Sequence, residues 1–138
     1  MRNKKILILG SNESFSIEKM YQRAFKSTCS KVYLYHIYNI RKNLISRFVW
    51  KFLRFYIFKL IRQKILKYLK NKKKNYDLIV IFKGIYINPG FLKEIKLILP
   101  NTKVINIFTD DPLDINYFKD ISNQNILSSI PYFDYLFV

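Results

Sequence analysis

Short apolar runs rich in β-branched residues alternate along the chain with longer segments in which apolar residues recur at helical spacing. This alternation predicts strands separated by helices, and therefore a parallel sheet. The predicted strands are residues 5–10, 31–35, 77–82, 103–108 and 132–138, and the predicted helices are residues 14–28, 43–72, 89–99 and 123–130. The first and third strands are apolar throughout, which indicates burial on both faces.

Strand and helix units joined by right-handed crossovers form a Rossmann-like open sheet. We therefore predict an α/β fold, with a Rossmann-like open parallel sheet of about five strands flanked by helices, in a single domain over residues 1–138. Asn88-Pro89 predicts the start of the third helix and Pro100 its end. The last strand runs to Val138 with no helix behind it, so we expect the domain to be truncated at its C-terminus relative to a complete unit of this kind.

The positive charge of the chain is concentrated in one segment. The net charge is +16, of which residues 1–40 carry +5, residues 41–74 carry +13 without one acidic residue, and residues 75–138 carry −2. Most of the positive charge therefore belongs to the central segment and not to the whole surface. Its functional interpretation depends on the role of that segment.

Residues 43–74 are predicted to form a basic amphipathic helical segment. At the helical period of about 3.6 residues, Arg47, Lys51 and Arg54 fall on one stripe. The opposite stripe holds Ile45, Phe48, Val49, Phe52, Tyr56 and Leu60. Beyond Phe58 the pattern blurs, because the lysines that follow fall on several sides of the helix.

Two roles stay open for this basic segment. A basic, aromatic-rich helix can lie on an anionic membrane with Arg47, Lys51 and Arg54 toward the lipid headgroups. It can also be a crossover helix that packs on the sheet and leaves a basic face in solvent. Nucleic acid is not an expected partner, because no helix-turn-helix, RNP or zinc-finger pattern accompanies the charge.

Composition excludes several classes of protein. The chain is 50% hydrophobic and 17% aromatic, which rules out global disorder. Its lone cysteine, Cys29, rules out an internal disulfide and fits a reducing compartment. The first apolar run is too short for a signal peptide, and charges interrupt residues 44–70 too often for a membrane span. We predict a cytoplasmic protein, with peripheral attachment to the inner face of the membrane as the alternative.

Ligands of open parallel sheets bind at the carboxyl ends of the strands, so the residues after each strand form the candidate site. Gly10-Ser11 follows the first strand and leads into a helix N-terminus, where backbone N–H groups can bind a phosphate or a carboxylate. Lys83-Gly84 follows the third strand and offers a cation where the backbone can approach an anionic ligand. Each sequence can also be an ordinary turn. Neither a GxGxxG nor a Walker sequence is present, so neither a dinucleotide site nor a P-loop is predicted.

Asp110-Asp111-Pro112 follows the fourth strand. Two adjacent carboxylates at a strand end can supply a general base, or they can cap the turn that precedes the proline. No metal site is predicted, because no histidine or third ligand accompanies them.

Three other polar residues are predicted to have structural roles. Asp77 and Asp134 stand at or just before predicted strands and are expected to fix the loops that enter them. His36 has no serine, cysteine or acidic partner nearby in the sequence and is expected to be an ordinary polar residue. The sequence contains no recognisable Ser/His/Asp or Cys/His set.

These strand-end sequences resemble those of a known family. Residues 76–138, together with the opening KKILILGSNESF, are similar to the N-terminal half of the CgeB-like (spore maturation protein-like) glycosyltransferases of the GT-B architecture. Lys83-Gly84 matches the Lys-Gly turn of that family, Asp110-Asp111-Pro112 matches its Asp-Asp-Pro turn, and Tyr132-Phe133-Asp134 matches its Tyr-Tyr-Asp strand.

The resemblance implies the acceptor-side domain of an enzyme that transfers a sugar from a nucleotide-sugar donor to a glycan or other hydroxyl acceptor, such as a bacterial surface glycan. It implies that Asp110 or Asp111 is the catalytic base. It places the substrate-binding residues at Gly10, Ser11, Lys83 and Gly84.

The same resemblance implies a separate C-terminal donor-binding domain as a partner, without which the chain is expected to be inactive. It implies no cofactor and no metal, since the nucleotide-sugar is a substrate. The alternative is a non-catalytic Rossmann-like module that docks on an anionic membrane or a protein partner through its basic helix.

Overall fold

The computed structural model describes residues 3–28, 31–37, 44–72, 75–108 and 121–137, with the backbone alone for residues 44–52, 72 and 121–123. The elements in chain order are β1 (Lys5–Gly10), α1 (Ile17–Thr28), β2 (Lys31–His36), α2 (Leu44–Lys72), β3 (Leu78–Phe82), α3 (Pro89–Ile98), β4 (Lys103–Ile107), α4 (Ile121–Ser129), a 3-10 turn (Ile130–Tyr132) and β5 (Tyr135–Phe137). The strands form one sheet in the order β2-β1-β3-β4-β5, and every pair is parallel. The predicted α/β class and Rossmann-like open sheet are confirmed.

Alternate residues of each strand point to opposite faces of the sheet. On one face Leu7, Ile79 and Val104 pack with the apolar sides of α2 and α3 in the larger of two core clusters. On the other face Ile8, Phe82 and their neighbours form a smaller cluster, against which the α1 side chain Phe25 packs. The edge at which the strands end, called here the carboxyl edge, lies between these two layers of helices.

The packed part of α2 differs from the predicted apolar stripe. Leu53 has non-helical backbone angles (φ −116°, ψ 18°), and this kink resets the orientation of the side chains that follow it. Tyr56, which was predicted on the apolar stripe, is therefore 59% exposed. Beyond the kink the buried positions recur regularly, so the expectation that the pattern blurs there is wrong. The buried residues of this part are Ile57, Phe58, Ile61, Ile65 and Leu69.

Side-chain caps fix where α1 and α3 begin. The Asn88 side chain accepts a hydrogen bond from the Phe91 N–H at 2.9 Å, with Pro89 in the first turn, as the sequence predicts. The first helix begins at Ile17 and not at residue 14, because Ser16 accepts from the Lys19 N–H at 3.3 Å and caps it. The last strand likewise begins later than predicted, since a 3-10 turn occupies Ile130–Tyr132.

Asp77 and Asp134 fix the entrances to β3 and β5, which confirms their predicted structural role. The Asp77 carboxylate accepts from the Lys5 N–H at 2.8 Å and from the Lys4 ammonium at 2.9 Å. The first of these bonds, followed by the second, lowers the pKa of Asp77. The Asp134 carboxylate accepts from the Val104 N–H and from the Lys96 ammonium, both at 2.6 Å. Burial raises the pKa of Asp134, but these two hydrogen bonds outweigh it, and the net shift is downward.

Candidate ligand-binding site at the carboxyl edge

The order of the strands creates one place where the connections diverge. From β1 the chain passes through α1 to β2 on one side, whereas β3 lies on the other side of β1. The loops that leave β1 and β3 therefore diverge at the carboxyl edge. The space between them, called here the crevice, is where open α/β sheets bind ligands. Gly10-Ser11 and Lys83-Gly84 end these two adjacent strands, so the four predicted substrate-binding residues lie at the same edge of the sheet. Lys83 is exposed and Ser11 is partly exposed, whereas the two glycines are buried.

The β1 side of the crevice contains a buried carboxylate that the sequence did not reveal. Glu18, in the first turn of α1, is 7% exposed and accepts a hydrogen bond from the Ser11 N–H at 3.0 Å. A Cβ placed on Gly10 would lie 2.5 Å from Glu18 Cγ, so glycine is needed there for Glu18 to approach the strand. Because Glu18 already uses the Ser11 N–H, this loop suits a hydroxyl-bearing ligand better than a phosphate or a carboxylate.

His36 holds the same loop from the β2 side. Its Nδ1 accepts a hydrogen bond from the Asn12 N–H at 2.9 Å, which places the proton of the neutral ring on Nε2. His36 is also paired with Gly10 in the register of β1 and β2. These contacts give His36 the structural role expected of an ordinary polar residue.

The β3 side of the crevice is a tight turn with an unusual backbone. Lys83 and Gly84 both have positive φ, 60° and 61°, and the Gly84 N–H donates to the Phe82 carbonyl at 2.7 Å. A three-residue turn of this kind around a non-glycine residue is rare and strained. Strain of this sort clusters at ligand sites, although it does not by itself distinguish a binding turn from an ordinary one.

Asn106, in the middle of β4, lies beneath that turn. A Cβ placed on Gly84 would lie 3.3 Å from Asn106 Nδ2 and 3.1 Å from Ile126 Cδ1. Asn106 is fully buried, and neither polar atom of its amide has a hydrogen-bond partner in the part of the chain that the structure describes. A buried polar group without a hydrogen-bond partner destabilises a fold and is rare in native proteins. Asn106 is therefore a candidate functional residue. The signal in the sequence was a polar residue in the middle of an apolar strand.

Several predicted site residues lie outside this description. Asp110 and Asp111 follow β4 and lie outside the described residues. Their position relative to the crevice is therefore outside the description as well. The side chains of Arg47 and Lys51 are likewise outside it. Arg54 is described, and its guanidinium carbon lies 5.7 Å from the centre of the Phe55 ring.

Two depressions stand out on the described part of the surface. One, of about 430 Å³, lies at the opposite edge of the sheet, near Lys5, Asp77 and Thr102. The other, of about 290 Å³, runs between α2 and α3, beside Lys59 and Arg62. The Arg62 guanidinium donates to the Tyr86 carbonyl at 3.0 Å. Burial lowers the pKa of Arg62, and the nearby Glu94 partly offsets that shift.

Within the described ranges, no three His, Cys, Asp or Glu side chains stand close enough to hold a metal ion. Among the same residues, no helix combines the length and apolarity that crossing a bilayer requires. Comparison with protein-family models, with curated proteins and with solved structures finds no match for this chain.

Proposed function

We propose that the chain is the acceptor-side domain of a sugar-transferring enzyme and that its crevice between β1 and β3 binds a hydroxyl-bearing acceptor. The observation that carries the proposal is the position of Gly10-Ser11 and Lys83-Gly84 on adjacent strand ends at the point where the connections diverge. The resemblance of these sequences to CgeB-like glycosyltransferases supplies the reaction class.

In this proposal each residue has a defined task. The Ser11 hydroxyl and the buried Glu18 carboxylate can hydrogen-bond sugar hydroxyls on the β1 side. Lys83 supplies positive charge on the β3 side. Asp110 or Asp111 takes the proton of the acceptor hydroxyl, the acceptor oxygen bonds to the anomeric carbon, and the nucleoside diphosphate leaves with the electron pair of the broken bond. The donor is held by a second domain, which acts as the partner.

Glycine-selective ¹⁵N labelling offers a direct test of the crevice. The chain has three glycines, of which Gly10 and Gly84 stand at the ends of β1 and β3, beside the crevice, and Gly90 lies in α3. Titration with methyl glycosides of glucose, galactose and N-acetylglucosamine should shift the Gly10 and Gly84 amide resonances and leave the Gly90 resonance in place. If none of the three sugars moves Gly10 or Gly84, the acceptor site is not in this crevice.

Paired lysine variants show whether the effect belongs to the site. Lys83→Ala should weaken sugar binding by about tenfold, the effect of losing one charged hydrogen bond. Lys93→Ala removes an exposed lysine from α3 and should leave binding unchanged. In an enzyme reconstituted with a donor domain, unchanged transfer in both Asp110→Asn and Asp111→Asn would reject these residues as the base.

A further inference from the structure

The described side chains of α2 that precede Ile57 are not buried. The helix leaves the carboxyl end of β2 and returns to the start of β3, so it runs opposite to the strands. Among its described side chains, which begin at Leu53, the first buried one is Ile57. Ile57 belongs to the same core cluster as Ile37, just past the end of β2. Arg62 already reaches the Tyr86 carbonyl in the loop after β3. The residues before Ile57 therefore lie at or beyond the carboxyl edge.

Large apolar side chains are exposed at this end of α2. Leu53 and Phe55 are each 52% exposed, and Tyr56 is more so. On the other side of the crevice, the loop between β1 and α1 presents Phe15 with 99% of its surface in solvent. Because α1 and α2 cover opposite faces of the sheet, the two apolar projections flank the crevice.

The charge around the α2 projection has a single sign. Residues 41–74 contain thirteen basic residues and no acidic one. Arg54 lies over the Phe55 ring, and Lys59 is exposed one turn beyond it. Aromatic and leucine side chains beside lysine and arginine fit the interface of an anionic bilayer, where the apolar groups enter the headgroup layer and the cations meet lipid phosphates. A second copy of the chain would bring two strongly positive segments together, which electrostatic repulsion opposes.

We propose that the carboxyl edge docks on an anionic lipid bilayer through two apolar projections, Phe15 and the Leu53–Phe55–Tyr56 group, with the cations of α2 against the headgroups. The crevice between β1 and β3 then opens toward the lipid surface. This docking is independent of whether the crevice binds a sugar.

Vesicle co-sedimentation tests the docking with matched variants. The wild-type chain should sediment with vesicles made of equal parts phosphatidylcholine and phosphatidylglycerol, and it should stay in solution with phosphatidylcholine alone. Leu53→Ser and Phe15→Ser should each weaken binding by about fivefold, the effect of removing one partly inserted apolar side chain. Leu97→Ser changes an 83% exposed leucine of α3, which lies toward the opposite edge of the sheet, and should have no effect.

Two further measurements test the contribution of charge and identify the region that enters the bilayer. Lys59→Glu and Lys26→Glu change the net charge equally, but Lys26 lies on α1, away from the α2 projection. Lys59→Glu should therefore weaken vesicle binding about tenfold, and Lys26→Glu should weaken it much less. The single tryptophan, Trp50, stands three positions before Leu53. Its fluorescence should shift to the blue with anionic vesicles and be quenched by brominated lipid.

Three results would overturn the proposal. The first is no sedimentation of the wild-type chain with anionic vesicles. The second is an equal loss of binding for Leu97→Ser and Leu53→Ser. The third is tight binding of the wild-type chain to a single-stranded oligonucleotide without binding to the vesicles. That result would assign the basic segment to nucleic acid.

Discussion

The two faces of the sheet are built differently. On the face that α2 and α3 cover, eighteen of the described residues form one buried apolar cluster. On the face that α1 covers, the corresponding cluster has five. Glu18 is the one buried residue of α1, whereas Tyr21 and Phe25 are only partly covered. The comparison teaches that α2 and α3 supply most of the hydrophobic stability, while α1 mainly holds a polar loop in place at the crevice.

The largest expected loss of stability is on the face of the sheet that α2 and α3 cover. Ile65→Ala removes a fully buried side chain of α2 and should lower the free energy of unfolding by about 3 kcal/mol. Phe25→Ala removes a side chain of α1 that is only partly exposed and should cost less, about 2 kcal/mol, because part of the ring stays in contact with solvent in the folded chain. Urea denaturation measures both. Equal losses would mean that the two faces contribute alike and would reject the comparison.

A second prediction concerns the polar role of α1. Gly10→Ala should destabilise the fold by about 2 kcal/mol, because the added methyl overlaps the Glu18 side chain. Glu18→Ala in the same chain should remove most of that penalty, which a double-mutant cycle would show as strong coupling. Gly90→Ala is the control, since nothing lies within 3.7 Å of its added methyl. Additive losses at Gly10 and Glu18 would contradict the steric account.

A third prediction sharpens the account of the α2–α3 face. Asn106→Val replaces an amide that makes no hydrogen bond to any described residue by an apolar side chain suited to a strand, so it should stabilise the fold by about 1 kcal/mol. The same variant should also weaken sugar binding at the crevice, because it removes the polar group beneath the Lys83-Gly84 turn. Thermal unfolding and the sugar titration measure the two effects. A destabilised variant would show that Asn106 has a structural partner.

The smallest expected effect is on the pH dependence of stability, and it comes from the edge of the sheet opposite the crevice. The pKa values of Asp77 and Asp134 are lowered in the folded chain. Their contribution is therefore complete above the unfolded pKa of about 4 and is lost as the pH falls through the folded pKa. Unfolding free energies measured below pH about 4 should fall less steeply for Asp77→Asn and Asp134→Asn than for the wild-type chain. An unchanged slope would remove these carboxylates from the acid response.

The fold was predictable because each element carries its own pattern of apolar residues. The burial of α2 was not, since Tyr56 of the predicted apolar stripe is exposed while Ile57 and Ile61, just beyond the kink at Leu53, are buried. The sequence also identified Gly10-Ser11 and Lys83-Gly84 as candidate strand ends. It could not place Glu18 against Gly10, or Asn106 beneath Gly84, because those contacts join residues that only the tertiary structure brings together.

The bonds made by Asp77 and Asp134 have a consequence for the alignment of the strands. Asp77 donates its N–H to the Lys5 carbonyl and accepts from the Lys5 N–H, and Asp134 does the same with Val104. Parallel strands have no tight hairpin to set their alignment, and a shift of one residue would turn every apolar side chain to the wrong face. Each aspartate recognises a single residue of the neighbouring strand at two points. Together they fix the alignment of β3 against β1 and of β5 against β4.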